Sequence, residues 1–327
     1  ELGGAGIAGI KMHAAIDVTM RRNHIHHCTM GIWCDWEAQG TRLSQNLLHD
    51  NQRPPFASVL KGGMMSQDIF VEVGHGPTLI DNNIMLSDAS LRFATEGVAL
   101  VHNLICGALT CVGGGTGPRY TPYHMPHRTE VMGFMTVLHG DDRFYNNIFV
   151  QKWPSDDIIT MHDSDDGFDT ENRAAGTWMF DEYPTYDEWI SQFDFSRPAD
   201  MAKLYGAHEG KLPVWIEGNA YLGGAKPSKK DVNALISAVA REDVRVELVQ
   251  KEDGYYLDTN VYELIEGFKN RMIDSDVLGK AFEPEERFEN PDGTAIRFDS
   301  DYFGTHRGVD VIPGPFASKE EAAKKLY

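Results

Sequence analysis

NHIHHCTMGIWCDWEAQGTRLSQNLL, residues 23–48, opens on Asn23-His24-Ile25 and reaches Asn46-Leu47-Leu48 after 23 residues. That interval decides how the rest of the chain is read. Asn followed by apolar residues returns at Asn82-Asn83-Ile84, Asn103-Leu104-Ile105, Asn146-Asn147-Ile148 and Asn219-Ala220-Tyr221, with spacings of 23, 36, 21, 43 and 73 residues. The 36 falls to about 22 if the Pro- and Gly-rich stretch 52–67 is an excursion, and 43 is two periods. A period in the low twenties, with short β-type runs and Asn at the turns, is a repeat signature. Leucine-rich repeats share the period but need Leu at fixed offsets, which are missing. The expected fold is therefore mainly β, a right-handed parallel β-helix whose turn asparagines bond to one another in a ladder.

After Val150 the period fails. Residues 185–193 and 228–241 read as helices, each opening on a capping box, Thr185/Glu188 and Ser228/Asp231. Residues 244–250 and 255–261 read as a hairpin across Asp253-Gly254, and Asn290-Pro291-Asp292-Gly293 as a turn. The expected organisation is repeats carrying the active site over 1–180. An α/β tail follows over 181–327, with one late repeat near Asn219, packing on or capping the repeats.

Chemistry concentrates in one column. Gly31-Ile32-Trp33-Cys34-Asp35 superposes on Gly9-Ile10-Lys11-Met12-His13 and, one residue in, on Ile69-Phe70-Val71-Glu72; Ala89-Ser90-Leu91-Arg92 is a weaker match. Side chains alternate along a strand, so Ile32 and Cys34 face inward with Ile69 and Val71, and Trp36 falls on that same face. The other face then presents His13, Asp35, Glu72 and Arg92 in one column, beside Lys11, Trp33, Phe70 and Ser90. Carboxylates on adjacent strands lie about 5 Å apart, the separation at which a retaining glycosidase uses one as nucleophile and the other as acid/base. Solvated surface acids are the plainer alternative, and a one-residue slip in register would turn one of the pair inward.

Other features exclude more than they suggest. Acids outnumber bases 49 to 30, and a net charge of −19 argues against nucleic acid and anionic membrane surfaces. No apolar run approaches the roughly 18 residues of a membrane span. Cys28, Cys34, Cys106 and Cys111 show no CxxC pair, which fits reduced thiols and a cytoplasmic protein. His124, His127 and Glu130 have metal-ligand types in a Pro-rich context, Gly113 to Gly117 lacks the Lys of a phosphate loop, and Asp156-Asp157 and Asp163 to Asp169 miss the EF-hand order. His24, His26 and His27 read as a surface turn. No metal and no cofactor is expected. The chain opens at Glu1 without Met or any capping segment, so upstream repeats of the same enzyme are expected to be missing.

The stretches AGIKMHAAID (8–17), NHIHHCTMGIWCDWEAQGTR (23–42), DIFVEVGHGPTLIDNNI (68–84), YTPYHMPHRTEVMGF (120–134) and DRFYNNIFV (142–150) together resemble the β-xylosidases of glycoside hydrolase family 120. The resemblance runs through the C-terminal half of such an enzyme and weakens toward the end. It implies a parallel β-helix that hydrolyses β-xylosides or short xylo-oligosaccharides with retention, Asp35 as nucleophile and Glu72 as acid/base. Lys11, His13, Trp33, Trp36, His75 and Arg92 are expected at the substrate, with Glu1 the one residue able to stand for the family's third carboxylate. The family has a shorter link where 52–67 stands here. Arabinosides, a β-helix polysaccharide lyase and a non-catalytic carbohydrate-binding protein are the competing readings, and a homo-oligomer is left open.

Overall fold

The computed structural model describes residues 7–52, 66–111, 120–153, 172–193, 196 and 211–327. Glu1, nearly all of 52–67, the glycines at 113–117 and the acidic groups at 156–157 and 163–169 lie outside them.

Strands β1 (Ile10–His13), β4 (Met30–Asp35), β7 (Gln67–Glu72), β10 (Ala89–Ala94) and β13 (Ala108–Cys111) pair in parallel in that order, and β18 (Asn172–Ala174) adds antiparallel to β13. A second parallel sheet takes β2 (Thr19–Arg21), β5 (Thr41–Ser44), β8 (Thr78–Asp81), β11 (Val98–Val101), β16 (Asp142–Tyr145) and β19 (Val214–Glu217). The third takes β3 (His24–His26), β6 (Leu47–His49), β9 (Ile84–Met85), β12 (Leu104–Ile105), β17 (Ile148–Val150), β20 (Ala220–Leu222) and β21 (Leu235–Ile236). Two hairpins stand apart, β14 (Tyr120–His124) with β15 (Val131–Thr136) and β22 (Val246–Lys251) with β23 (Gly254–Thr259).

The expected right-handed parallel β-helix with an α/β tail is corrected by this topology: the chain forms separate, stacked parallel sheets with few helices. The period specifies that strands recur in parallel register, but the way sheets lie on one another is set by packing between distant side chains. The α-helices of the described tail are single turns of four or five residues. Tyr186–Ile190 keeps its Thr185/Glu188 capping box. No α-helix forms over 228–241, because the groups that would cap one are used elsewhere: the Ser228 hydroxyl donates to Asp181 and the Asp231 carboxylate accepts from Asn219 and Tyr221. The hairpin about Asp253-Gly254 and the turn closed by Gly293 N–H on the Asn290 carbonyl are both present.

One apolar core serves all three sheets, joining Ile32, Val71 and Phe93 of the first, Leu43, Ile80 and Phe144 of the second, and Leu48, Ile105 and Phe149 of the third. The outward Leu79, Val101 and Tyr145 of the second sheet are covered by Ile273, Phe288 and Phe298, and Leu47, Ile84 and Ile148 of the third by Val261, Tyr262 and Phe316. The first sheet's outward side chains form only a small cluster of their own, Met30, Trp33, Phe70 and Ala94. Among the described residues, then, the tail's apolar residues pack on two of the three sheets. The asparagines form the expected ladder: the amide side chain and backbone N–H of Asn23, Asn46, Asn83, Asn103 and Asn147 each donate to Oδ1 of the next, ending at Asn219.

Candidate active site

The two carboxylates stand at the ends of β4 and β7. Strand β1 pairs Lys11 with Trp33 and His13 with Asp35, and β4 pairs Trp33 with Phe70 and Cys34 with Val71, which sets Asp35 beside Glu72 one residue on. Gly31 permits this approach, because a Cβ there would collide with the Asp68 carbonyl of β7. Both strands stop in left-handed backbone soon after the carboxylates, at Glu37 (φ 68°) and Val73 (φ 47°). For a β-branched residue such as Val73 that conformation is strained, and strain of this kind collects at functional sites.

Asp35 receives Lys11 Nζ at 2.8 Å on Oδ2 and the backbone N–H of Trp36 at 2.8 Å on Oδ1. The same ammonium lies 3.4 Å from the centre of the Trp33 ring. Trp33 donates its indole N–H to Glu72 Oε2 at 3.0 Å and packs on Phe70 with ring centres 5.5 Å apart. Glu72 is pushed up to about 7, first by burial, then by the Asp35 charge and a hydrogen bond to Asp35; Trp33 and Lys11 pull the other way. Two carboxyl groups on adjacent paired strands, one of them raised to about 7, can supply an acid and a nucleophile together.

The remaining expected residues divide. His13 sits edge-on to Trp36 at 5.2 Å, so Trp36 lies against the site's rim rather than facing inward with Ile32 and Cys34. Trp33 and Phe70 are 6% and 1% exposed and form a packed floor under the carboxylates. Arg92 is not beneath Glu72: β10 pairs it with Phe70 and sets Ala94 against Glu72. Its guanidinium lies buried, 5.6 Å from the Phe70 ring centre. A shift of two residues preserves the inside–outside alternation, so the pattern could not distinguish the two registers. Ser90 falls at an irregularity of β10 and accepts the Gly107 N–H. His75 is buried away from the pair, its Nδ1 on Glu96 at 2.5 Å and its Nε2 on the Thr121 carbonyl at 3.1 Å.

Sequence reasoning missed how the β14–β15 hairpin is fastened beside this site. Gln39, four residues past Asp35, donates Nε2 to the His124 carbonyl and accepts the His124 N–H, and Glu37 reaches His124 Nε2 at 3.4 Å. His127 lies between Asp17 at 3.0 Å and Glu289 at 3.3 Å, with Glu286 at 3.9 Å. Burial opposes charge on His127, but the bonds to Asp17 and Glu289 and the Glu286 charge hold it above the usual histidine range. His127 is thus set among three carboxylates as an ion-pair clamp, and one ligand atom each of Asp17, His127 and Glu286 lies within 4.8 Å of the others. Glu130, which the sequence sets near His124 and His127 as a ligand type, is not part of this cluster. The described cysteines are free thiols. No helix among the described residues is long and apolar enough to cross a membrane.

No protein-family model and no curated protein matches the chain. Among solved structures it is similar to XylC, determined in complex with xylose, with a TM-score of 0.80 and 32% identity. The match covers 99% of this chain and 45% of the XylC chain, so the chain spans less than half the length of the structure it resembles.

Proposed function

We propose that the chain carries the catalytic pair of a glycoside hydrolase acting on β-xylosides with retention of configuration. The observation that carries the reading is the adjacency of Asp35 and Glu72 at the ends of paired strands, with burial and the Asp35 charge raising Glu72 to about 7. The likeness to XylC, solved with xylose, supports the sugar class. Asp35, held by Lys11 and the Trp36 amide, attacks the anomeric carbon while the bond to the leaving oxygen breaks and Glu72 gives that oxygen its proton. The Glu72 carboxylate then takes a proton from water, whose oxygen displaces Asp35 and restores it. Neighbouring positions on paired parallel strands are about 5 Å apart, closer than the roughly 6.5–9.5 Å at which an inverting enzyme places water between its carboxylates. A lyase reading loses its main support, because Arg92 is buried against Phe70.

The test is paired substitution in the intact protein. Asp35→Ala abolishes turnover of every glycoside, because no covalent intermediate forms. Glu72→Ala still forms the glycosyl-enzyme from an aryl xyloside with a good leaving group but loses about 10²–10⁴-fold on natural linkages. Azide restores its turnover and yields the β-xylosyl azide. Unchanged turnover in both variants would return the pair to the status of surface acids.

A further inference from the structure

We infer that His24, His26 and His49 form a binding site for a divalent transition-metal ion of the zinc class, at the edge of the third sheet and apart from the carboxylate pair. Period-two alternation puts His24 and His26 on the same face of β3, and the parallel register sets His26 directly beside His49 of β6. The rings of His26 and His49 stack within 7° at 4.8 Å, and Nε2 of His24 faces Nε2 of His49 at 2.7 Å. One nitrogen from each of the three imidazoles lies within 4.8 Å of the others, a spacing one ion can close.

The outer nitrogen of His49 is occupied in the way that of a metal-bound histidine usually is. His49 Nδ1 lies 2.6 Å from Asp50 Oδ2, so a proton on Nδ1 leaves the Nε2 lone pair free and aims it at His24. His26 Nδ1 meets His27 Nδ1 at 2.6 Å, and in the tautomer in which His26 donates, its Nε2 lone pair is left for the ion. Binding replaces the hydrogen bond between the two Nε2 atoms: His24 carries its proton on Nδ1, and the nitrogens part from 2.7 Å to the roughly 3.3 Å that a tetrahedral ion with bonds of about 2.0–2.1 Å requires.

Three imidazoles with no thiolate and no ligating carboxylate favour zinc, copper or nickel over calcium or magnesium. The rings of Tyr255, on β23, and of the terminal Tyr327 lie 4.7 and 4.8 Å from His24. An ion here ties two adjacent strands together beneath the tail's hairpin, and water completes a four-coordinate shell.

The experiment is calorimetric titration of Zn²⁺ into the full chain after chelator treatment and removal of the chelator, with Co²⁺ as spectroscopic probe. One ion per chain is expected, and Co²⁺ should give the intense visible bands of four-coordination. His26→Gln changes an exposed side chain and should fold; it should weaken binding more than about tenfold, and Asp50→Asn about 10–100-fold. Asp35→Asn should bind as the parent does, which separates this site from the carboxylate pair. Absence of saturable binding overturns the inference. So does binding that survives both His26→Gln and His49→Gln, or binding lost with His127→Gln instead.

Discussion

Glu72 meets neighbours that act on its proton in opposite senses. Burial and Asp35 hold the proton on, while the Trp33 indole N–H at 3.0 Å and the Lys11 charge favour its loss. If Glu72 is the acid, loss of its proton sets the alkaline limb of kcat/KM. Trp33→Phe keeps a ring on Phe70 but removes the donor to the charged form. The limb should therefore move up by about one pH unit, the equivalent of a hydrogen bond to a charged group. A pH profile of aryl-xyloside hydrolysis checks this, and a limb that stays put or moves down would rule out the assignment. At this scale Asp35 and Glu72 were legible because their segments align without a gap. Arg92 was misplaced because a two-residue offset leaves the pattern of faces unchanged.

Along the third sheet the unit of stability is the asparagine ladder. Buried Asn103 accepts the backbone and side-chain N–H groups of Asn83 and donates to Asn147 Oδ1 and the Ile80 carbonyl. Asn103→Ala leaves several of these buried groups unpaired, at about 1–3 kcal/mol each, and should lower stability by roughly 3 kcal/mol or more. Asn23, half-buried, donates to Asn46 and among the described residues receives from no other asparagine, so Asn23→Ala should cost about 1 kcal/mol. Urea denaturation of the two variants checks the difference, and equal midpoints would show that the ladder is not cooperative with the core. The ladder was legible because it depends on one residue type at one turn. The helix expected over 228–241 failed because its capping groups serve the sheet end instead: Asp231 receives Asn219 and Tyr221.

Across the whole molecule, the β14–β15 hairpin is held to the first strands and to the tail by histidines. His127 faces Asp17 from the loop after β1 and Glu286 and Glu289 from the tail, and His75 reaches the Thr121 carbonyl. Both imidazoles are held above their ordinary value by these carboxylates and Glu96, against the cost of burial. A raised folded-state value contributes stability that is full below the unfolded value and is lost as pH rises through the folded one. Hairpin docking should therefore loosen from about pH 6.5 upward. Amide-exchange protection factors over 120–136 should fall across that range in the parent, and less steeply in His127→Gln. A parent whose protection is flat or rises with pH would show that the clamp carries no proton-linked energy.

The sequence by itself determined which residues recur at the turns, which strand positions face outward, and that Asp35 and Glu72 share a column. All of these follow from periods short enough to count. Only the tertiary structure decided how the strands divide among stacked parallel sheets, which pairs β10 makes, and that the tail covers the second and third sheets. It alone brought His49 against His24 and His26, and Glu286 and Glu289 against His127. The reason is physical: alternation fixes the face a side chain takes, while offset and partner are set by packing between segments far apart in the chain.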